Sequence, residues 1–210
     1  MSYSWEIMKL HVGHQRREEN AVSRASSLQR FLVRFEPLAR FLRLFIAGVA
    51  LVVGASASPS SSAARDLVAF TSSVEPGTIV IEARQRKLFL VVREGVAIRY
   101  PIAVPKSSEE WSGSATVEGK YVKPDWVPPP IVKRDHPELP DFIRGGSPNN
   151  PMGARAITLS RFEVAIHGTT NKMRRSIGTA ASYGCIRMLN EDVIDLFDRV
   201  RVGTPVIMIP

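Results

Sequence analysis

Cysteine and histidine are scarce in this sequence of 210 residues. The single cysteine, Cys185, excludes an intramolecular disulfide. Two of the four histidines lie near the N-terminus, which leaves His136 and His167 in the rest of the chain. One cysteine and two histidines are too few ligands for a closed zinc site, so the sequence predicts no metal centre.

Aromatic residues make up only 8% of the chain, and the basic residues are scattered instead of forming a stripe. The sequence contains neither an aromatic–basic platform nor a recognition-helix pattern, so we expect no nucleic-acid partner. The formal net charge of +8 is shared equally by residues 1–57 and 58–210. The larger part of the chain is therefore only mildly basic, which suits an anionic polymer or a membrane surface.

The main apolar stretch, residues 44–54, is shorter than the ~20 residues that a membrane-spanning helix needs. It follows an arginine-rich leader and precedes the small-residue motif Ala-Ser-Ala at 55–57. This order predicts a signal peptide over residues 1–57, cleaved after Ala57, and hence export to the periplasm or cell envelope. An uncleaved membrane anchor and a buried core helix are the alternatives. Translation from Met8 would shorten the leader.

The small and polar residues 58–76 are predicted to form a flexible linker. Residues 77–210 read as one domain with many short runs of β-branched and large apolar residues. The first three runs are so closely spaced that no helix fits between them, which favours an antiparallel sheet. The predicted strands are residues 78–83, 87–92, 96–104, 115–122, 156–159, 163–166 and 205–209.

A helix is predicted near the C-terminus, with Asn190 as its N-cap. Val193, Leu196, Phe197 and Val200 recur at helical spacing and form one apolar stripe. Such a stripe packs against a sheet. The domain is therefore predicted to be mostly β with at least one helix.

Residues 124–151 contain eight of the fifteen prolines, together with Trp126 and the Gly145-Gly146 pair. We expect no regular helix or strand at that density of proline and glycine. A long ordered loop in a small domain is usually functional and forms a lid or a binding wall. A surface excursion without function is the alternative.

Cys185 and His167 are the candidate nucleophile and base. A lone thiol in an exported protein faces oxidants, which favours a chemical role. A thiol becomes nucleophilic when a neighbouring base removes its proton, and His167 lies at the end of a predicted strand. Gly184 predicts a tight turn in which the amides of Tyr183, Gly184 and Cys185 point at one place and hold an oxyanion. Arg187 could bind a substrate carboxylate or lower the pKa of the thiol.

These residues alone also fit a structural role, because a lone cysteine is often a small core residue. Their order, however, resembles the signature of the YkuD-type L,D-transpeptidases, in which a His-Gly pair precedes Ser/Thr-x-Gly-Cys-x-Arg/Asn. The matching residues are His167, Gly168, Ser182, Gly184, Cys185 and Arg187. Trp126 with the prolines that follow it looks like the tryptophan–proline loop of that family. The resemblance covers roughly residues 76–210.

The resemblance implies a fold of mixed sheets, packed like a β-sandwich, with a helix after the cysteine turn. It implies that Cys185 attacks a diaminopimelate carbonyl in a peptidoglycan stem tetrapeptide and releases D-alanine. The acyl group then passes to an amine of a neighbouring stem, of an anchored envelope protein or of a D-amino acid. His167 would be the base, oriented by the Gly168 carbonyl, and no cofactor would be needed. The implied substrate-binding residues are Arg187, Ser182 and Trp126.

Two departures from the family pattern are visible. Tyr183 stands where the family often has histidine, and residues 105–120 lack a clear Thr-Pro-x-Gly turn. Two other functions suit the same fold. A hydrolase, acting as an L,D-carboxypeptidase or an amidase, would pass the acyl group to water. A non-catalytic wall-binding module would not need both Cys185 and His167, so the presence of both residues speaks against it.

Overall fold

Residues 66–210 are the part of the chain that the computed structural model describes. This part contains ten strands, two α-helices and two 3-10 helices, at Ser107–Glu109 and Met173–Ser176. The strands are β1 (Asp66–Ala69), β2 (Ile79–Glu82), β3 (Lys87–Arg93), β4 (Val96–Pro105), β5 (Gly113–Val122), β6 (Arg155–Leu159), β7 (Ala165–His167), β8 (Ala180–Ser182), β9 (Ile186–Met188) and β10 (Pro205–Ile209). The α-helices are α1 (Pro130–Asp135) and α2 (Asn190–Arg199).

Strands β2, β3 and β4 pair in antiparallel order, as their close spacing predicts. The other predicted strands are also present, within a few residues of the expected bounds. One strand boundary differs from the prediction by two residues. The strand expected over residues 163–166 begins only at Ala165, because Glu163 has a φ of 55° and cannot continue an extended strand.

The strands form one continuous path in the order β1-β4-β3-β2-β10-β5-β6-β7-β9. Because β4 is ten residues long, it pairs with β3 along its first part and with β9 through Ile102 and Ala103. The path from β4 to β9 therefore closes on itself. Parallel pairs (β2–β10, β7–β9 and β4–β8) are mixed with antiparallel ones. The prediction of a mostly β fold with mixed sheets and a helix after the cysteine turn is confirmed.

Helix α2 packs its apolar stripe on this sheet. Val193, Leu196 and Val200 are buried in the main core, and Phe197 packs against it. Burial of side chains of this size stabilises the fold by about 1.5–3 kcal/mol each. The hydroxyl of Tyr100 on β4 also donates a hydrogen bond to Asp195 at 2.6 Å. The helix that follows the cysteine turn is therefore fixed to the strand that runs beneath it.

The linker predicted over residues 58–76 contains strand β1, so that prediction is wrong for Asp66–Ala69. This strand pairs antiparallel with β4. Val68, Phe70 and Val74 pack on a small buried cluster, and the ring of Phe70 stacks on that of Phe89 with centroids 4.8 Å apart. The averaged small and polar composition of the segment hid these three apolar side chains.

The proline-rich residues 124–151 contain helix α1, so the prediction of no regular element there is also wrong. The helix starts at Pro130, and proline is tolerated at the first position because the amide there needs no intrahelical partner. Trp126 and Ile143 also form a two-way backbone bridge, with N···O distances of 2.9 and 2.8 Å. Residues 124–151 therefore contain regular backbone hydrogen bonding.

The predicted signal peptide over residues 1–57 lies outside the described residues. Residues 66–210 contain no helix of the length and apolarity that crossing a membrane requires. The expectation of export therefore stays a prediction.

Candidate active site

His167 is the last residue of β7 and is buried, with 4% of its surface exposed. Its Nδ1 lies 2.8 Å from the carbonyl oxygen of Gly168. Because a carbonyl oxygen can only accept, Nδ1 carries the proton, and the lone pair lies on Nε2. The ring is therefore held in the tautomer that can accept a proton on its outer nitrogen. The contact implied by the family resemblance is present.

Asn190 supports the backbone beside His167, a role that the sequence reading missed. Leu189 occupies the N-cap position of α2, so the N-cap assignment of Asn190 is wrong. Instead, its Oδ1 accepts hydrogen bonds from the amides of Ala154 and Thr169 at 3.0 and 3.2 Å, and its Nδ2 donates to the Thr169 carbonyl at 2.9 Å. A Cβ on Gly168 would lie 2.2 Å from that Oδ1, so only glycine fits there.

The turn from Ser182 to Cys185 presents the thiol. Gly184 has a φ of +117°, which side-chain-bearing residues rarely adopt. Its carbonyl accepts a hydrogen bond of 3.0 Å from the buried indole of Trp111, a second residue that the sequence reading missed. The hydroxyl of Ser182 donates to the carbonyl of Cys185. A bound substrate could therefore only donate to Ser182, because its one proton is already used.

The sulfur of Cys185 lies 3.5 Å from the carbonyl oxygen of Glu163, to which the thiol donates its proton. The side chain is half-buried. In the described part of the chain, the amides of Tyr183, Gly184 and Cys185 donate no hydrogen bond to another backbone group outside helices and strands. These amides are available to a substrate, as an oxyanion site requires.

Cys185 and His167 open into the same cavity of about 790 Å³. This volume is in the range of sites that bind small molecules and short peptides. Trp126 and other apolar residues of the proline-rich segment form one wall, and Trp126 also packs with Cys185 on a small apolar cluster. Arg187 and Ser182 line the cavity as well. The structure therefore brings together all the residues that the sequence singled out as side-chain contributors.

Burial controls the protonation of the two central groups. Burial, aided by the charge of Arg187, lowers the pKa of His167 to about 4, although the carbonyls of Gly168 and Pro151 favour the protonated ring. Burial also raises the pKa of the Cys185 thiol, and the Ala165 amide and Arg187 offset only part of that effect. At neutral pH the site therefore holds a neutral thiol and a neutral imidazole.

Arg187 lies on β9 next to His167 in the strand pairing. Burial lowers the pKa of its guanidinium. None of the hydrogen bonds and ion pairs found within residues 66–210 involves its side chain. A half-buried cation that lines a cavity and has no carboxylate partner is suited to bind an anionic group of a ligand.

Tyr183, the departure from the family pattern, contacts the proline-rich segment. Its hydroxyl lies 3.5 Å from Nε2 of His136, and the two rings meet edge to face. Lys106 lies 4.2 Å from the centre of the Tyr183 ring. Hydrogen bonds from Arg134 and then from Tyr183 lower the pKa of Asp135 at the end of α1. Tyr183 thus connects the Ser182–Cys185 turn to the proline-rich segment of residues 124–151.

Residues 66–210 hold no group of three or more His, Cys, Asp or Glu side chains arranged as a metal site. The polar groups that line the cavity include a thiol, an imidazole and a guanidinium. This set suits acyl transfer through a cysteine.

A family model of the L,D-transpeptidase catalytic domain matches residues 76–208. The chain belongs to the YkuD family of L,D-transpeptidase catalytic domains. Among curated relatives, ErfK/SrfK of Escherichia coli, a probable L,D-transpeptidase, is 36% identical over 140 residues. That match covers 64% of this chain and 44% of the relative. The chain thus spans less than half the length of this relative.

One solved structure shares the fold of the described residues. The Ldtfm–avibactam carbamoyl enzyme superposes with a TM-score of 0.51 at 18% identity, covering 65% of this chain and 50% of that one. A Brucella melitensis protein named a probable carnitine operon oxidoreductase is 41% identical and has a TM-score of 0.46. That match covers 66% of this chain and 89% of that one. Its name denotes another activity, and the family assignment rests on the match over residues 76–208.

Proposed function

We propose that the protein is a peptidoglycan L,D-transpeptidase in which Cys185 is the nucleophile and His167 the base. The observation that carries this proposal is the shared cavity: a buried imidazole, fixed by the Gly168 carbonyl, opens into the same space as the only thiol of the chain. Membership of the family supports stem peptides as the substrate. The predicted leader supports export to the periplasm or cell envelope.

The first half of the reaction forms a thioester. The S–H of Cys185 turns from the Glu163 carbonyl to Nε2 of His167, which takes the proton as sulfur attacks the diaminopimelate carbonyl. The amides of Tyr183, Gly184 and Cys185 stabilise the oxyanion. His167 then gives the proton to the departing nitrogen of D-alanine. Because the His167 imidazole and the Cys185 thiol are both neutral at the start, the imidazole is free to accept the proton of the thiol.

The second half transfers the acyl group to an amine. The neutral amine attacks the thioester carbon and gives a proton to Nε2 of His167 as the C–N bond forms. The C–S bond then breaks, and His167 passes that proton to the departing thiolate. Arg187 binds a carboxylate of the donor stem and Trp126 forms an apolar wall, roles supported by the presence of both residues in the cavity lining. Either another stem or an envelope protein can supply the amine. Attack by water on the same thioester would make the enzyme a carboxypeptidase or amidase.

Incubation of the full chain with a purified disaccharide-tetrapeptide tests the proposal. We expect mass spectrometry to detect release of D-alanine together with cross-linked dimers, or with amine-exchanged products when a D-amino acid is added. A parallel incubation with a pentapeptide that ends in D-alanyl-D-alanine is the matched control. Its third-position carbonyl is bonded to a dipeptide instead of to the single D-alanine that leaves from the tetrapeptide. Tripeptide as the single product would overturn transfer and establish hydrolysis.

A further inference from the structure

Glu163 lies in the turn between β6 and β7, next to the nucleophile. Its backbone carbonyl receives the S–H of Cys185, and the residue lines the cavity together with Cys185 and His167. Its φ of 55° is uncommon for a residue that has a side chain. The turn thus holds a glutamate at the reacting sulfur in spite of an unfavourable backbone conformation.

Glu163 is also the one carboxylate among the described residues that line the cavity. The permanently charged side chains on the other walls are cationic: Arg144, Lys172 and Arg187. Within residues 66–210 the carboxylate of Glu163 makes no hydrogen bond or ion pair, and half-burial raises its pKa. A partly desolvated carboxylate without a partner favours the binding of a cation.

Formation of the thioester, the first half of the proposed reaction, does not require the Glu163 carboxylate. Its negative charge raises the pKa of the Cys185 thiol and so opposes thiolate formation. Anionic groups of the donor stem would be repelled by it and attracted by Arg187. An aliphatic amine is an ammonium ion at neutral pH, so both the free amine of the donor diaminopimelate and the acyl acceptor are cationic there. Of the two, the amine that must reach the thioester carbon beside Glu163 is that of the acceptor.

We propose that the Glu163 carboxylate binds the ammonium group of the acyl acceptor beside the Cys185 thioester. The inference rests on the proposed function, because it requires a thioester on that sulfur. An ammonium must lose two protons to become an amide nitrogen. Glu163 takes the first and releases it to solvent, and His167 takes the second and passes it to the departing thiolate. Glu163 thereby selects amines over water.

Glu163→Gln tests this assignment, since glutamine keeps the size and hydrogen-bonding shape of the side chain and removes only its charge. Thioester formed from the tetrapeptide is challenged with D-methionine, which is cationic at its amine, or with hydroxylamine, which is largely neutral near pH 7. We expect kcat/KM for D-methionine to fall roughly ten- to hundredfold, mainly through KM, as for loss of a charge-assisted contact. The hydroxylamine reaction should persist.

Glu110→Gln is the matched control, because Glu110 is exposed and does not line the cavity. It should leave transfer to both nucleophiles unchanged. Equal losses for D-methionine and hydroxylamine in Glu163→Gln, or no loss for D-methionine, would overturn the inference. Acylation of the wild type by a carbapenem is measured in parallel. Its absence would overturn the proposed function as a whole, whereas normal acylation with unselective transfer overturns only the role of Glu163.

Discussion

Cys185→Ala should abolish the release of D-alanine from a stem tetrapeptide. The variant lacks the only thiol of the chain, and the hydroxyl of Ser182 in the same turn already donates its proton to the carbonyl of residue 185. Removal of the nucleophile of a serine protease costs on the order of a millionfold in kcat, so we expect a rate below detection. Quantification of free D-alanine by chromatography gives the rate.

The fold should survive this substitution. Cys185 is half-buried and its side chain makes one weak hydrogen bond, so the midpoint of thermal unfolding should change little. Cys185→Ser is the conservative control, because it keeps a hydroxyl that donates to the Glu163 carbonyl but is a far weaker nucleophile than a thiolate. Wild-type release of D-alanine by a folded Cys185→Ala variant would show that another group attacks the substrate.

His167→Ala should slow acylation by a carbapenem roughly 100- to 10,000-fold near pH 7, the range of a lost general base. The size of the effect follows from the neutral resting state, in which the thiol retains its proton until His167 accepts it. Stopped-flow measurement of the loss of carbapenem absorbance gives the rate. An unchanged rate near pH 7 would count against proton transfer to His167.

The pH dependence of the same reaction gives an independent test. Because the pKa of His167 is lowered to about 4, its neutral form persists above that pH and is lost as the pH falls through it. Wild-type acylation should therefore be level near neutrality and fall near pH 4. In His167→Ala the rate should instead rise with pH toward the raised pKa of the thiol. His136→Ala, which removes a half-exposed imidazole of the same cavity, should keep the wild-type profile.

Sequence reasoning succeeded where a local pattern has one physical solution. Three β-branched runs separated by a few polar residues can only pair as antiparallel neighbours, and they do so as β2, β3 and β4. The stripe of Val193, Leu196 and Val200 similarly allows one buried face of a helix. The closed path of the sheet was not predictable, because it depends on β4 pairing with β9 far along the chain.

The residues that support the site were missed because their partners are distant in sequence. Trp111 holds the carbonyl of Gly184 across 73 positions, and Asn190 holds the backbone near Gly168 across 21 and 36 positions. Asn190 also carried a misleading local signal, since asparagine before a helix normally indicates an N-cap. The strand boundary at Glu163 depends on a positive φ that nothing in the local sequence indicates.

Cys185 is a candidate because it is the single cysteine, and His167 because it lies at the end of a predicted strand. The resemblance to the family adds Gly168, Ser182 and Trp126. The structure places Cys185, His167, Ser182 and Trp126 around one cavity, and the backbone carbonyl of Gly168 contacts the His167 ring. Ser182 also stabilises the turn, because the Ser182 hydroxyl donates to the carbonyl of Cys185. Support of the turn and contact with substrate are thus separate roles for that residue.

Mass analysis of the wild-type chain after incubation with a carbapenem tests the identity of the nucleophile most directly. Trypsin cleavage after Arg175 and Arg187 places Cys185 in the peptide of residues 176–187. We predict a single covalent adduct with the mass of the drug, located on Cys185 in that peptide. A folded protein that remains unmodified, or an adduct on any other residue, would contradict the account.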